Sequence, residues 1–244
     1  MSDAFRRLRA FAVHVLTASG IAFDLLAVLE IARPDPDATR VFLLLLVPVV
    51  IDAIDGPLAR RFDVKRWAAG VDGRTIDDIV DYLTFTFVPL LLVWRMGWLP
   101  DPAAAYVTVA LVASLLGFAH RDAKQEEAGF FRGFPSYWNA YAFYAGVWAV
   151  GQGPVLPAVV LLALSALTVL PVRFLYPNLA PRPWRVPLLA GAAAWAALLL
   201  AMLPSYPRPP ASLVWASLVY PAFYVVLSVV LDRRARGVVR GRRA

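Results

Sequence analysis

Apolar residues in this chain gather in long runs rather than in the one-sided patterns of a soluble domain. Eight runs stand out, at about 11–31, 40–59, 75–95, 103–120, 136–152, 155–175, 185–204 and 211–231. A helix crossing the hydrocarbon core of a bilayer takes about 20 apolar residues, so the pattern predicts an all-α, polytopic membrane bundle of about eight transmembrane helices. The second and fifth runs each meet polar residues at one end. The first is too long for a secretory leader, lacks a small-residue cleavage site and is followed by further spans, so it is expected to stay attached. Residues 1–10 mix Arg with Phe and Leu, as an interfacial helix or a frayed basic tail would. Residues 232–244 form an arginine-rich tail expected to lie on anionic lipid. With no internal repeat, residues 1–244 read as one domain.

Composition agrees with the pattern: 60% of the 244 residues are hydrophobic and 17% charged, and the mean hydropathy is +0.64. Loop charge sets the orientation. With both termini cytosolic, 20 Lys and Arg residues fall inside, against Arg33, Arg40, Arg95 and Arg208 outside. The net charge of +7 is spread over loops, so it reads as attachment to anionic lipid and gives no reason to expect nucleic acid. With no cysteine, thiolate nucleophiles and thiolate metal sites are excluded. His14 and His120 are isolated, and no HExxH, Walker or Ser/His/Asp pattern is present.

What remains is acidic. At about 100° per residue, Asp52, Asp55, Gly56 and Ala59 share one helix face, and Gly73, Asp77 and Asp81 climb a second stripe in four-residue steps. Asp72 and Asp78 point elsewhere. An ionised Asp inside a membrane costs several kcal/mol, of the order of 2.5–3.5, unless compensated, and clustered carboxylates raise one another's pKa. Divalent cations remove both problems, and all-oxygen ligands suit magnesium or manganese. Paired ions of that kind drive in-line displacement at phosphorus. Salt bridges to the nearby arginines, or an ion or proton path through a transporter, would also account for these aspartates. Pro57 is expected to bend its helix beside the site. In span one, His14, Thr17, Ser19 and Gly20 read first as helix-packing residues.

The spaced pattern Asp52-x-x-Asp55-Gly56-x-x-Ala59-Arg60, then Gly73-x-x-x-Asp77-x-x-x-Asp81, resembles the signature of the CDP-alcohol phosphotransferases. These membrane enzymes join an alcohol to a phosphate carried on CDP and release CMP. The twelve residues 61–72 between Arg60 and Gly73 resemble the bacterial branch that forms phosphatidylcholine. So do His14-Val15-Leu16-Thr17-Ala18-Ser19-Gly20, Phe131-Arg132-Gly133-Phe134-Pro135 with Trp138-Asn139, and Leu170-Pro171 with Phe174-Leu175 and Pro177. The resemblance implies that Asp52, Asp55, Asp77 and Asp81 hold two divalent cations, Mn2+ or Mg2+, and that Asp81 is also the catalytic base. It implies that Gly56, Ala59 and Gly73 receive the cytidine nucleotide while Arg60 contacts a phosphate. The expected substrates are CDP-diacylglycerol and choline, and the expected setting is a bacterial inner membrane among its lipids, with the active site on the cytosolic side and the protein a homodimer. Serine, glycerol phosphate and inositol phosphate are the rival acceptors.

A quaternary ammonium group cannot donate a hydrogen bond, so a choline site calls for aromatic faces helped by carboxylates. Candidates are Tyr82, beside Asp81, and Glu126, Tyr137, Trp138, Asn139 and Tyr141. An interfacial aromatic belt would use the same residues. Spans six to eight read as scaffold.

Overall fold

The computed structural model describes residues 2–120, 122–125 and 129–241. The first helix, α1 (Asp3–Ile31), starts at Ser2, whose hydroxyl caps the Phe5 amide. Residues 3–10 are thus its opening turns, continuous with the first span. Asp37 caps α2 (Ala38–Arg61) by accepting from the Thr39 and Arg40 amides. This helix runs unbroken through Pro48 and Pro57. A short α3 (Val64–Trp67) follows, then α4 (Gly73–Tyr82), whose N-cap Asp72 accepts from the Arg74 amide and the Thr75 hydroxyl.

The third predicted span does not form one regular helix. After Tyr82 the backbone widens into a π turn, Leu83–Phe87, before α5 (Val88–Arg95). Further along come α6 (Ala103–Ala119), strands β1 (Lys124–Gln125) and β2 (Phe130–Arg132), α7 (Trp138–Gln152) and α8 (Val155–Val169). The sixth predicted span ends six residues early. Leu170 is extended, as the residue before a proline prefers to be, and Pro171 closes the helix. The chain then enters β3 (Arg173–Leu175), which completes a small antiparallel sheet with β2 paired to both neighbours. Helices α9 (Arg182–Met202) and α10 (Ala211–Gly241) finish the described chain. The arginine-rich tail therefore begins as helix: α10 continues well past residue 231.

Among the described residues, four segments are long and apolar enough to cross a membrane: Asp3–Ile31, Ala38–Arg61, Arg182–Ser205 and Ala211–Arg234. With the shorter apolar helices α6 and α8, they make this a helical, multi-pass membrane protein.

The chain divides into two compact units. The first holds the residues up to Val107 together with Tyr137–Ala145. In it α1 and α4 run parallel, with Gly73 beside His14, Val80 beside Gly20 and Thr84 bonded to Asp24. Gly20 permits this spacing, since a Cβ there would lie 2.9 Å from Val80 and 3.2 Å from Pro48. Ala10, Val13 and Val64 form a small core joined by Ala59, Phe62 and Trp67. The guanidinium of Arg9 sits over Phe62, and those of Arg6 and Arg66 over Trp67.

The second unit comprises Thr108–Ser136 and the chain from Gly146 onward. Its core gathers Phe130, Phe174, Leu175, Leu188, Tyr224 and Leu227. The Tyr224 hydroxyl donates to the Leu175 carbonyl at 2.8 Å, and Arg173 pairs with Asp232 at 2.7 Å. Asp232, read from the sequence as the start of a lipid-facing tail, is instead buried at 9% exposure.

Candidate active site

Two helices of the first unit carry the acidic residues, and the third contributes what the sequence did not announce. Asp52 and Asp55 lie on α2 and Asp77 on α4, and each offers a carboxylate oxygen within 4.8 Å of the others. Asp81 stands one turn beyond Asp77 on the same stripe, outside this three-carboxylate group. Asp55 is 7% exposed. Its Oδ2 accepts a hydrogen bond from the Thr17 hydroxyl of α1 at 2.7 Å. A hydrogen bond of that length to a carboxylate contributes about 1.5–3 kcal/mol.

Two unit charges 4.8 Å apart repel by about 3 kcal/mol at an effective dielectric near 20, so three carboxylates this close call for positive charge. The donor set is oxygen alone, and the residues present fit a hard divalent cation. Neighbouring acids are engaged elsewhere. Asp78 pairs with Arg74 at 3.7 Å, and Asp72 caps α4. The Thr75 hydroxyl, then the Thr75 and Arg74 amides, hold the Asp72 carboxyl below its ordinary pKa.

Around the carboxylates, the Arg60 guanidinium hangs over Gly56, where a Cβ would lie 3.5 Å from it. Ala59 packs on the Ala10, Val13 and Val64 core. Gly73 faces the imidazole of His14, and a Cβ on Gly73 would come within 2.6 Å of that ring. His14 and Thr17, read from the sequence as packing residues, thus line the edge of the acidic site. Deeper along α1, Asp24 is 2% exposed and takes the Thr84 hydroxyl on both oxygens at 3.1 Å. Sequence reasoning passed over Asp24, although a lone carboxylate in a 20-residue apolar run is itself a signal.

The aromatic candidates divide. Tyr137 meets Phe85 edge-on with ring centres 6.5 Å apart, and Phe85 lies one turn past Asp81. Tyr82 and Tyr137 are half-buried. Trp138 and Tyr141 are 0% and 4% exposed and pack edge to face on each other at 5.5 Å. The Asn139 side-chain oxygen caps the Ala140 amide at 2.8 Å. Glu126 lies outside the described residues.

Comparison with known proteins decides what this arrangement belongs to. No family model matches the chain. It is 35% identical over 172 residues to the phosphatidylcholine synthase of Pseudomonas aeruginosa, covering 70% of each chain. It is 32% identical over 228 residues to that of Legionella pneumophila, covering 90% of this chain and 87% of the relative. The chain belongs to the phosphatidylcholine synthase family. A relative from Bradyrhizobium diazoefficiens, with the same name, is 42% identical over 172 residues, and the match spans 62% of that protein's length. Membership makes this chain an enzyme of that family.

Proposed function

We propose that this protein transfers the phosphatidyl group of CDP-diacylglycerol to choline and releases CMP. The observation that carries the reading is the convergence of Asp52, Asp55 and Asp77 within 4.8 Å, in a chain whose relatives are named phosphatidylcholine synthase. Asp52, Asp55, Asp77 and Asp81 would hold two divalent cations, Mn2+ or Mg2+, which neutralise charge on the diphosphate when bound. Asp81 takes the proton from the choline hydroxyl. The choline oxygen bonds to the phosphorus that bears diacylglycerol, and the bond from that phosphorus to the CMP oxygen breaks. Arg60, above Gly56, orients a phosphate. The half-buried rings of Tyr82 and Tyr137, next to Asp81 and the π turn, face the trimethylammonium group. Eight spans, cytosolic termini and a site at the inner leaflet keep the acyl chains in the bilayer while CMP leaves to water.

The test supplies purified protein with CDP-diacylglycerol, Mn2+ and either choline, serine, glycerol phosphate or inositol phosphate, and follows CMP. Choline-dependent CMP release is the expected result. Release with a rival acceptor and none with choline would overturn the choice of alcohol, and no release with any acceptor would overturn the reaction.

A further inference from the structure

We propose that His14 recognises the nucleotide: its Nε2 makes a hydrogen bond to the cytidylyl part of CDP-diacylglycerol. This rests on the function proposed above.

His14 is 6% exposed, and its Nε2 is enclosed without a hydrogen-bond partner among the described residues. Phe11 meets the ring edge-on at 6.5 Å, and Gly73 covers the Cε1–Nδ1 edge. Leaving such an atom unpaired costs about 1–3 kcal/mol, and nearly all buried polar atoms in folded proteins have partners. The cations are not the missing partner, because neither ring nitrogen joins the group formed by Asp52, Asp55 and Asp77. The substrate is.

Position along the helices says which part of it. His14 is three residues before Thr17, which holds Asp55, and Gly73 is four residues before Asp77. Both offsets, about 4.5–6 Å at 1.5 Å per residue, lead toward the N-terminal ends of α1 and α4. Those ends are polar, flanked by Arg6, Arg9 and the 62–72 connector. Diacylglycerol must leave the phosphates on the apolar side, so the ribose and base extend toward His14. The absence of a side chain at Gly73 then has a reason, since it lets the imidazole edge lie flat against α4.

Equilibrium binding of CDP-diacylglycerol to the purified full-length protein in Mn2+, with the thermal midpoint as a check on folding, tests this. His14→Ala is expected to weaken binding about tenfold or more while the KM for choline stays unchanged. His14→Gln should bind nearly as the parent does, because the glutamine amide nitrogen reaches the place of Nε2. His14→Asn, which mimics Nδ1, should not. Gly73→Ala should weaken binding alone and add little on the His14→Ala background. A folded His14→Ala that binds CDP-diacylglycerol like the parent, equal losses for both substrates, or a folded His14→Gln no better than His14→Asn overturns the proposal. A parent protein that does not bind CDP-diacylglycerol refutes the functional reading itself, a result distinct from an indifferent His14.

Discussion

The two units treat buried polar groups in opposite ways. In the second, hydroxyls donate to backbone carbonyls: Ser165 and Thr168 to Leu161 and Leu164 and Ser228 to Tyr224 within their own helices, and Tyr224 and Tyr220 to Leu175 and Leu188 on neighbouring elements. Its buried carboxylate, Asp232, faces a guanidinium at 2.7 Å. In the first unit, Thr17 reaches another helix to bond a carboxylate, three acids crowd one place, and a buried imidazole nitrogen has no hydrogen-bond partner among the described residues. Membrane interiors tolerate polar groups that are paired within the protein as scaffold. Groups whose charge or hydrogen bonding the fold leaves uncompensated mark where something else must bind.

The sharpest way to break this contrast is at the acids. Asp81→Asn should lower CMP release by about 100-fold or more, the usual worth of a general base, whereas Asp78→Asn, which weakens the pair with Arg74, should stay within about threefold. Equal losses would mean that the two faces of α4 have been misassigned.

Thr17→Val tests whether a hydroxyl in the first unit does more than one in the second. Losing the donor to Asp55 should cost about 1.5–3 kcal/mol, read as a roughly 10- to 100-fold rise in the Mn2+ concentration needed for half-maximal rate. Thr168→Val removes a bond to its own helix and should leave that concentration unmoved. If both variants behave alike, the distinction between the two units' hydroxyls fails.

Packing supplies a third comparison, in stability. Gly20→Ala drives a methyl into Val80 and Pro48 and should lower unfolding stability by about 1–3 kcal/mol. Because it spreads α1 from the helices that carry the acids, activity should fall with it. Gly151→Ala, where a Cβ meets nothing within 4 Å, should change neither quantity in the same denaturation series.

The smallest effect belongs to Asp72. Its carboxyl titrates below the ordinary value because the ionised form receives the Thr75 hydroxyl and two amides. The stability it gives is therefore complete above the unfolded-state pKa and is lost as pH falls through the lower folded one. Asp72→Asn keeps a capping oxygen, so it should match the parent at neutral pH and show a shallower decline in melting midpoint on acidification. An unchanged acid profile would show that the cap is not what titrates.

Much of this was legible along the chain because it is local. Helix periodicity alone puts Asp52 with Asp55 and Asp77 with Asp81, and the length of the apolar runs locates α1, α2, α9 and α10. Pro171 ends α8 by a rule that involves only its neighbour Leu170, yet the sequence reading carried the run to residue 175 because hydropathy does not fall there. The π turn at Leu83–Phe87 was not legible, since nothing in Leu-Thr-Phe-Thr-Phe distinguishes it from an ordinary helical turn.

The sequence by itself determined that this is a helical membrane protein with acidic stripes on two adjacent helical segments, because hydropathy and the 3.6-residue repeat act between near neighbours. Only the tertiary structure decided that α1 completes the site. Thr17 meets Asp55 across 38 residues, and Asp24 meets Thr84 across 60. No periodicity reaches that far. The register of α1 against α2 and α4 is set by the close approach at Gly20 and by the shapes of the side chains around it, and those exist only once the helices have packed.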